Sequence, residues 1–140
     1  MKVALVLAAV ALASASAAHA TPGIVLFRTP SGNIGCVYSA AGYGEPAFLR
    51  CDIRSGLVPK PPTPRDCHLG FGDSYGIAKH GRTIVICHGD TAIDPHARAL
   101  PYGTSWARDG FRCSSQATGL KCSNLSGHGF FLSREHSYTF

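Results

Sequence analysis

The densest run of proton- and metal-handling side chains is His88-Gly89-Asp90-Thr91, followed by Asp94 and His96. Two imidazoles and two carboxylates this close together supply suitable donor atoms, but their spacing matches no zinc, calcium or metalloprotease pattern, so no metal site and no cofactor are assigned. The expectation is a polar loop in which Asp90 and Thr91 hydrogen-bond nearby backbone to build a turn. His128 stands between Gly127 and Gly129, sterically open for general-base work. Such a base needs a fixed partner on its other ring nitrogen, and the sequence names none. The flanking glycines read as turn or bulge positions before a buried Phe130-Phe131-Leu132 strand. If catalysis exists, His88, Asp90 and His128 in one cleft are its candidates, as a small secreted hydrolase.

Nucleophiles add little. The chain has no G-x-S-x-G elbow, phosphate loop or dinucleotide fingerprint. Ser31, Ser105 and Ser126 lie near glycines and read as turn residues. A carboxylate pair for glycan hydrolysis, Asp90 with Asp94 or Asp73, has no geometry in sequence. Aromatic residues suggest a different kind of site. Tyr43, Tyr75 and Tyr102, with Arg134, are the candidates for contact with a protein or glycan, because tyrosine in glycine-rich loops suits such surfaces. Trp106, Phe71 and Phe111 are expected to fill the core.

The elements that must position these residues are short strands punctuated by glycine and proline, with almost no helical periodicity. Strands are expected at 24–28, 34–39, 47–53, 74–78, 83–88, 104–107, 111–114, 120–124 and 129–133. Turns are expected at Ser31-Gly32-Asn33, Lys79-His80-Gly81, Arg108-Asp109-Gly110 and Ala117-Thr118-Gly119. The fold class is all-β: a small disulfide-stapled sandwich or partly open barrel of short antiparallel strands. Pro59 to Pro64, with four prolines, reads as an extended crossing that links two β subassemblies. Thr91 to Ala99 could hold a short helical turn, limited by Pro95.

Residues 1–20 read as a secretory signal peptide: Lys2, an apolar run from Val3 to about Leu12, then small residues ending Ala18-His19-Ala20. The run is shorter than the roughly 20 residues a spanning helix needs, so a single domain, residues 21–140, is expected to be secreted or periplasmic with no stable membrane insertion. Cysteines Cys36, Cys51, Cys67, Cys87, Cys113 and Cys122 then suit an oxidising compartment. Their connectivity is not decided by sequence. Neighbour pairing is preferred, Cys36–Cys51, Cys67–Cys87 and Cys113–Cys122, because each pair brackets a strand-turn-strand unit. Loops of this length would stabilise by about 2–3 kcal/mol each. The net charge of +5 is spread over isolated residues. No basic stripe with interleaved aromatics and no reader motif marks a nucleic-acid partner.

Five segments, TPSGNIGC (Thr29–Cys36), RCDI (Arg50–Ile53), CHGDT (Cys87–Thr91), LPYG (Leu100–Gly103) and NLSGHGFFLSR (Asn124–Arg134), together resemble a family of small exported bacterial proteins treated as a domain of unknown function. The usual Asp-Trp-Gly-like segment after the third cysteine is here His68-Leu69-Gly70. The resemblance implies a secreted, disulfide-stapled β domain and transfers no catalytic residue. The expected function is an exported binding or inhibitor-type module recognising an envelope or extracellular protein or glycan. A structural envelope protein without a ligand is the third reading. The oligomeric state is not encoded in any pattern.

Overall fold

The computed structural model describes residues 23–140, so the signal-peptide reading of residues 1–20 lies outside the described residues. Period-two alternation builds the first sheet. In Phe48–Ile53 (β3), Leu49, Cys51 and Ile53 point to the core, while Arg50 and Asp52 point to the opposite face. Ile34–Ser39 (β2) pairs antiparallel on one side of β3, with Cys36 opposite Cys51, and Ser74–Ala78 (β4) pairs on the other. Ile24–Arg28 (β1) extends the sheet beyond β2, and the two-residue strand Ile84–Val85 (β5) closes the β4 edge. The far edge is Arg98–Ala99 (β6), which runs parallel to β1.

The second sheet is an antiparallel meander of Ser105–Arg108 (β7), Phe111–Gln116 (β8), Gly119–Ser123 (β9), Gly129–Leu132 (β10) and Ser137–Thr139 (β11). The two sheets face one another as an open sandwich and do not close into a barrel. Among the described residues no helix is long and apolar enough to cross a membrane.

Each sheet carries one cross-strand disulfide at directly opposed positions. Cys36–Cys51 joins β2 to β3, Cys113–Cys122 joins β8 to β9, and all four cysteines are fully buried. They lie in one core with Tyr38, Leu49, Ile77, Phe111, Leu120 and Phe130. Each staple constrains the unfolded chain and packs its sulfurs into a core at the small end for a single domain. The third bridge, Cys67–Cys87, lies toward the surface and fastens the long β3–β4 loop to the chain leaving β5. Beside it, Gly70 and His88 exchange two backbone hydrogen bonds.

Four expectations change. Pro59 to Pro64 does not link two subassemblies: it lies in the β3–β4 connection, between neighbouring strands of one sheet. It is fastened to the second sheet just before its start, where Ser137 N–H donates to Val58 C=O at 2.6 Å. Thr91 to Ala99 forms no helix. The Asp94 carboxylate accepts the His96 N–H and its carbonyl accepts the Ala97 N–H, a turn that delivers the chain into β6. Phe131 is not buried with Phe130 and Leu132, because alternation along β10 turns it to the outer face. Of the aromatics expected in the core only Phe111 is fully buried: Phe71 is half-buried outside it, and Trp106 is half-buried at the sandwich margin, stacked on Phe27 with centroids 4.9 Å apart.

Gly35 shows why the outer face of the first sheet tolerates a covering loop. A Cβ there would lie 2.6 Å from the Ile93 Cα and 2.8 Å from the Ala92 carbonyl oxygen. Gly35→Ala is expected to lower stability by about 1–3 kcal/mol, because backbone has to move rather than a flexible side chain. The urea midpoint of the variant measures it.

Candidate functional site

Gly35 stands opposite Asp52 in the β2–β3 ladder, and Ser74 flanks Asp52 from β4. Into this space the segment after Cys87 descends. Asp52, 1% exposed, accepts from Arg50 Nε and Nη2 at 2.8 Å each, from Ser74 Oγ at 2.7 Å, from Ala92 N–H at 2.7 Å and from Thr91 Oγ1 at 3.3 Å. Arg50 spans from this buried carboxylate to the exposed Asp90, at 2.7 Å to its carboxylate and 3.2 Å to its carbonyl. Burial alone would push the Asp52 carboxyl up; the Arg50, Ser74 and Ala92 donors outweigh it and hold it below the ordinary carboxylate value. Burial would likewise push Arg50 down, and Asp52 with Asp90 holds it up. Asp90 is lowered chiefly by the Arg50 hydrogen bond.

This arrangement assigns RCDI and CHGDT a shared architectural role. The forked guanidinium clamps the Cys87–Thr91 loop onto the sheet, using geometry that a lysine would not reproduce. Asp90 thus binds a distant arginine rather than only its own turn, while Thr91 does hold the local turn by accepting the Ile93 N–H. His88 belongs to the same scaffold. Its Nδ1 lies 2.6 Å from the Asp90 carbonyl and its Nε2 lies 2.8 Å from Asp73 Oδ1. Both ring nitrogens face acceptors, so neither is turned toward solvent.

His128 sits elsewhere. Its N–H donates to Asn124 Oδ1, and Nδ1 lies 3.2 Å from the Phe140 carbonyl. The turn that carries it is fastened to the β4–β5 hairpin, where Asn124 Nδ2 donates to the Ala78 and Gly81 carbonyls. His88 is held by Asp73, just before β4 begins, whereas the His128 turn is held beyond Ala78 at its end. The five residue steps from Asp73 to Ala78 put the two anchor points roughly 16–17 Å apart along the strand. His88 and Asp90 come together and His128 does not join them. No cluster of three or more His, Cys, Asp or Glu side chains able to hold a metal occurs among the described residues.

Of the aromatic candidates, Tyr43 is fully exposed at the tip of the β2–β3 hairpin. Tyr75 is 7% exposed and packs on Phe130 with centroids 5.6 Å apart, and burial raises its hydroxyl pKa. The β4 alternation turns Tyr75 into the core, so it offers no ring to a partner. Tyr102 and Arg134 converge. They line a 540 Å³ cleft at one end of the sandwich, where the turn between β1 and β2 meets the β8–β9 and β10–β11 turns. That volume is within the roughly 300–1,000 Å³ range of small-ligand sites.

The cleft walls are preset by internal hydrogen bonds. Thr29 and Ile34 close the first turn, its N–H donating to the Ile34 carbonyl at 2.9 Å, and the Asn33 side chain donates to Ser55 Oγ. Ser133 Oγ accepts the Glu135 and His136 N–H groups and donates to the His136 carbonyl. Gly103 N–H donates to the Ser115 carbonyl, which fastens the Tyr102 loop to β8. Walls already ordered lose little entropy when a ligand arrives. Sequence reasoning missed Thr29, Asn33, Gln116, Thr118 and His136 as lining residues. The available signal was that the Thr29–Cys36, Leu100–Gly103 and Asn124–Arg134 segments, quoted together for the resemblance, each send residues here.

A second, more apolar groove of 410 Å³ runs along the sandwich margin, between Leu26 and Phe27 on one side and Leu100 and Trp106 on the other. No curated protein and no solved structure matches the chain. One family model does, over residues 4–140, and it covers the whole sandwich with its three disulfides. The chain belongs to the family of unknown function DUF6636.

Proposed function

We propose that this protein is an exported, disulfide-stabilised binding module that takes a glycan of the envelope or extracellular space in the Tyr102–Arg134 cleft. The observation that carries the reading is the composition of that cleft. The exposed polar residues Ser31, Gln116, Thr118 and Glu135 line it together with Arg134, Tyr102 and Phe131, over a floor of buried Thr29 and Asn33. A sugar presents the complementary pattern: hydroxyls that both donate and accept, around a ring whose C–H faces pack on aromatic side chains. Three disulfides, two of them buried, and no free cysteine among the described residues suit an oxidising compartment outside the cytoplasm. The export reading itself rests on the leader-like residues 1–20. The hydrolase alternative needed His88, Asp90 and His128 in one cleft, and no geometric observation favours it.

A panel of short neutral, amino and uronic oligosaccharides, titrated calorimetrically, tests the proposal. Saturable binding of a subset is expected, weakened about tenfold or more by Arg134→Ala and by Tyr102→Ala with the melting temperature unchanged. Both side chains are at the surface, so neither substitution should disturb folding. Absence of any saturable sugar would favour the structural-protein reading. Turnover of a bound sugar would return the molecule to the hydrolases.

A further inference from the structure

We infer that the outer face of the five-stranded sheet is a second binding surface, continuous with the cleft, on which an acidic polysaccharide lies. The inference rests on the glycan reading of the cleft and extends it from a short sugar to a polymer. None of strands β7 to β11 contains an aspartate or a glutamate, while β8 and β9 turn Arg112 and Lys121 outward. In the ladder, Phe131 stands between Lys121 on β9 and Tyr138 on β11. Its ring is 5.2 Å from the rings of both His136 and Tyr138, and those two are nearly parallel, 5° apart in plane and 5.9 Å between centroids. Lys121 Nζ lies 4.7 Å from the Phe140 ring. Tyr138 and Phe140 remain 45% and 39% exposed, uncovered by any other layer of the described fold.

Two features select the occupant. The face is cationic and aromatic, which suits a chain of pyranose rings carrying carboxylates: the rings pack on the aromatic ladder and the charges meet Lys121 and Arg112. Phe131 and His136 belong to both the ladder and the cleft lining, so one polymer can occupy the two without a break. A single-stranded nucleic acid also stacks on aromatics; the hydroxyl- and amide-bearing residues that line the adjoining cleft favour a polyhydroxylated chain over it.

The test uses the full mature protein with alginate and polygalacturonate fractions of increasing length. Neutral dextran and an oligodeoxythymidylate serve as comparisons. Affinity for the acidic chains is expected to rise with length and to fall with salt. Tyr138→Ala and Lys121→Gln, both at exposed positions, should each weaken the long chains about tenfold while leaving short oligosaccharides unaffected. Length-independent binding, unchanged affinity in both variants, or tighter binding of the oligonucleotide would overturn the inference. If short oligosaccharides bind in the cleft but the ladder variants behave as wild type, the polymer surface alone is wrong. If no sugar of any length binds, the cleft reading fails with it.

Discussion

Asp52→Ala is expected to lose about 3–5 kcal/mol of folding stability, the cost of leaving a partly buried charge and its hydrogen-bond donors without their acceptor. Asp52 is the one acceptor shared by Arg50, Ser74 and the Ala92 N–H, and alanine strands the Ser74 and Ala92 donors and removes the buried partner of Arg50. Arg50 would retain the exposed Asp90, but that pair faces water and is screened. The loop from Cys87 to Ile93 should then lift from the sheet. Equilibrium urea unfolding at neutral pH measures the loss, and hydrogen exchange at the Ala92 amide reports the local opening. A pH series adds a signed check. The Asp52 carboxyl is held below its ordinary value of 3.8, so its contribution is complete above that value and disappears as pH falls through the lower folded value. Wild-type protein should therefore lose stability on the acid side more steeply than Asp52→Asn, which starts lower and lacks this slope. An Asp52→Ala protein as stable as wild type would mean the clamp contributes nothing.

The paired replacement Cys36→Ala with Cys51→Ala is expected to cost about 3 kcal/mol through the entropy of the released loop alone, the two cysteines being 15 residues apart in sequence. Lost sulfur packing adds to this, because both positions are fully buried beside Tyr38 and Leu49. Cys113–Cys122 encloses a shorter loop, nine residues apart, so its removal should cost less on entropic grounds. Cys67–Cys87 lies nearer solvent, so reductant should reach it first with the sandwich still folded. Thiol labelling followed by peptide mass mapping gives the order. Labelling of Cys36 or Cys113 before Cys67 would contradict the burial pattern.

The strands with a buried alternate face were legible because a period of two leaves a strong mark. Leu49, Cys51 and Ile53 show it in β3, and Phe111, Cys113 and Ser115 show it in β8. The edge strands left no such mark. Arg98–Ala99 and Ser137–Thr139 are too short for alternation, and β6 is held from outside by Arg28, whose Nε donates to the Ala97 carbonyl. The Pro59 to Pro64 crossing was misread because proline shows what a segment cannot pair with, but not which strands it joins. Arg50 and Asp52 did carry a signal: opposite charges two apart on an otherwise apolar strand must share one face. Nothing local, however, says that the Ala92 amide comes down to meet them. The cleft was the least legible feature. Its walls are turns from positions near 30, 117 and 134, and Ser31-Gly32-Asn33 and Ala117-Thr118-Gly119 read only as chain reversals until the sandwich brings them to one end.

The clamp and the disulfides explain a rigid frame, and the cleft is what that frame holds open. Chemical-shift mapping of isotope-labelled protein during titration with the tightest oligosaccharide of the panel is the most direct measurement. Perturbations are expected only at Thr29 to Ile34, Tyr102, Gln116 to Gly119 and Phe131 to His136, with His88 and Asp90 unmoved. Perturbations centred on His88 and Asp90, or along the Leu26–Trp106 groove, would contradict the cleft reading.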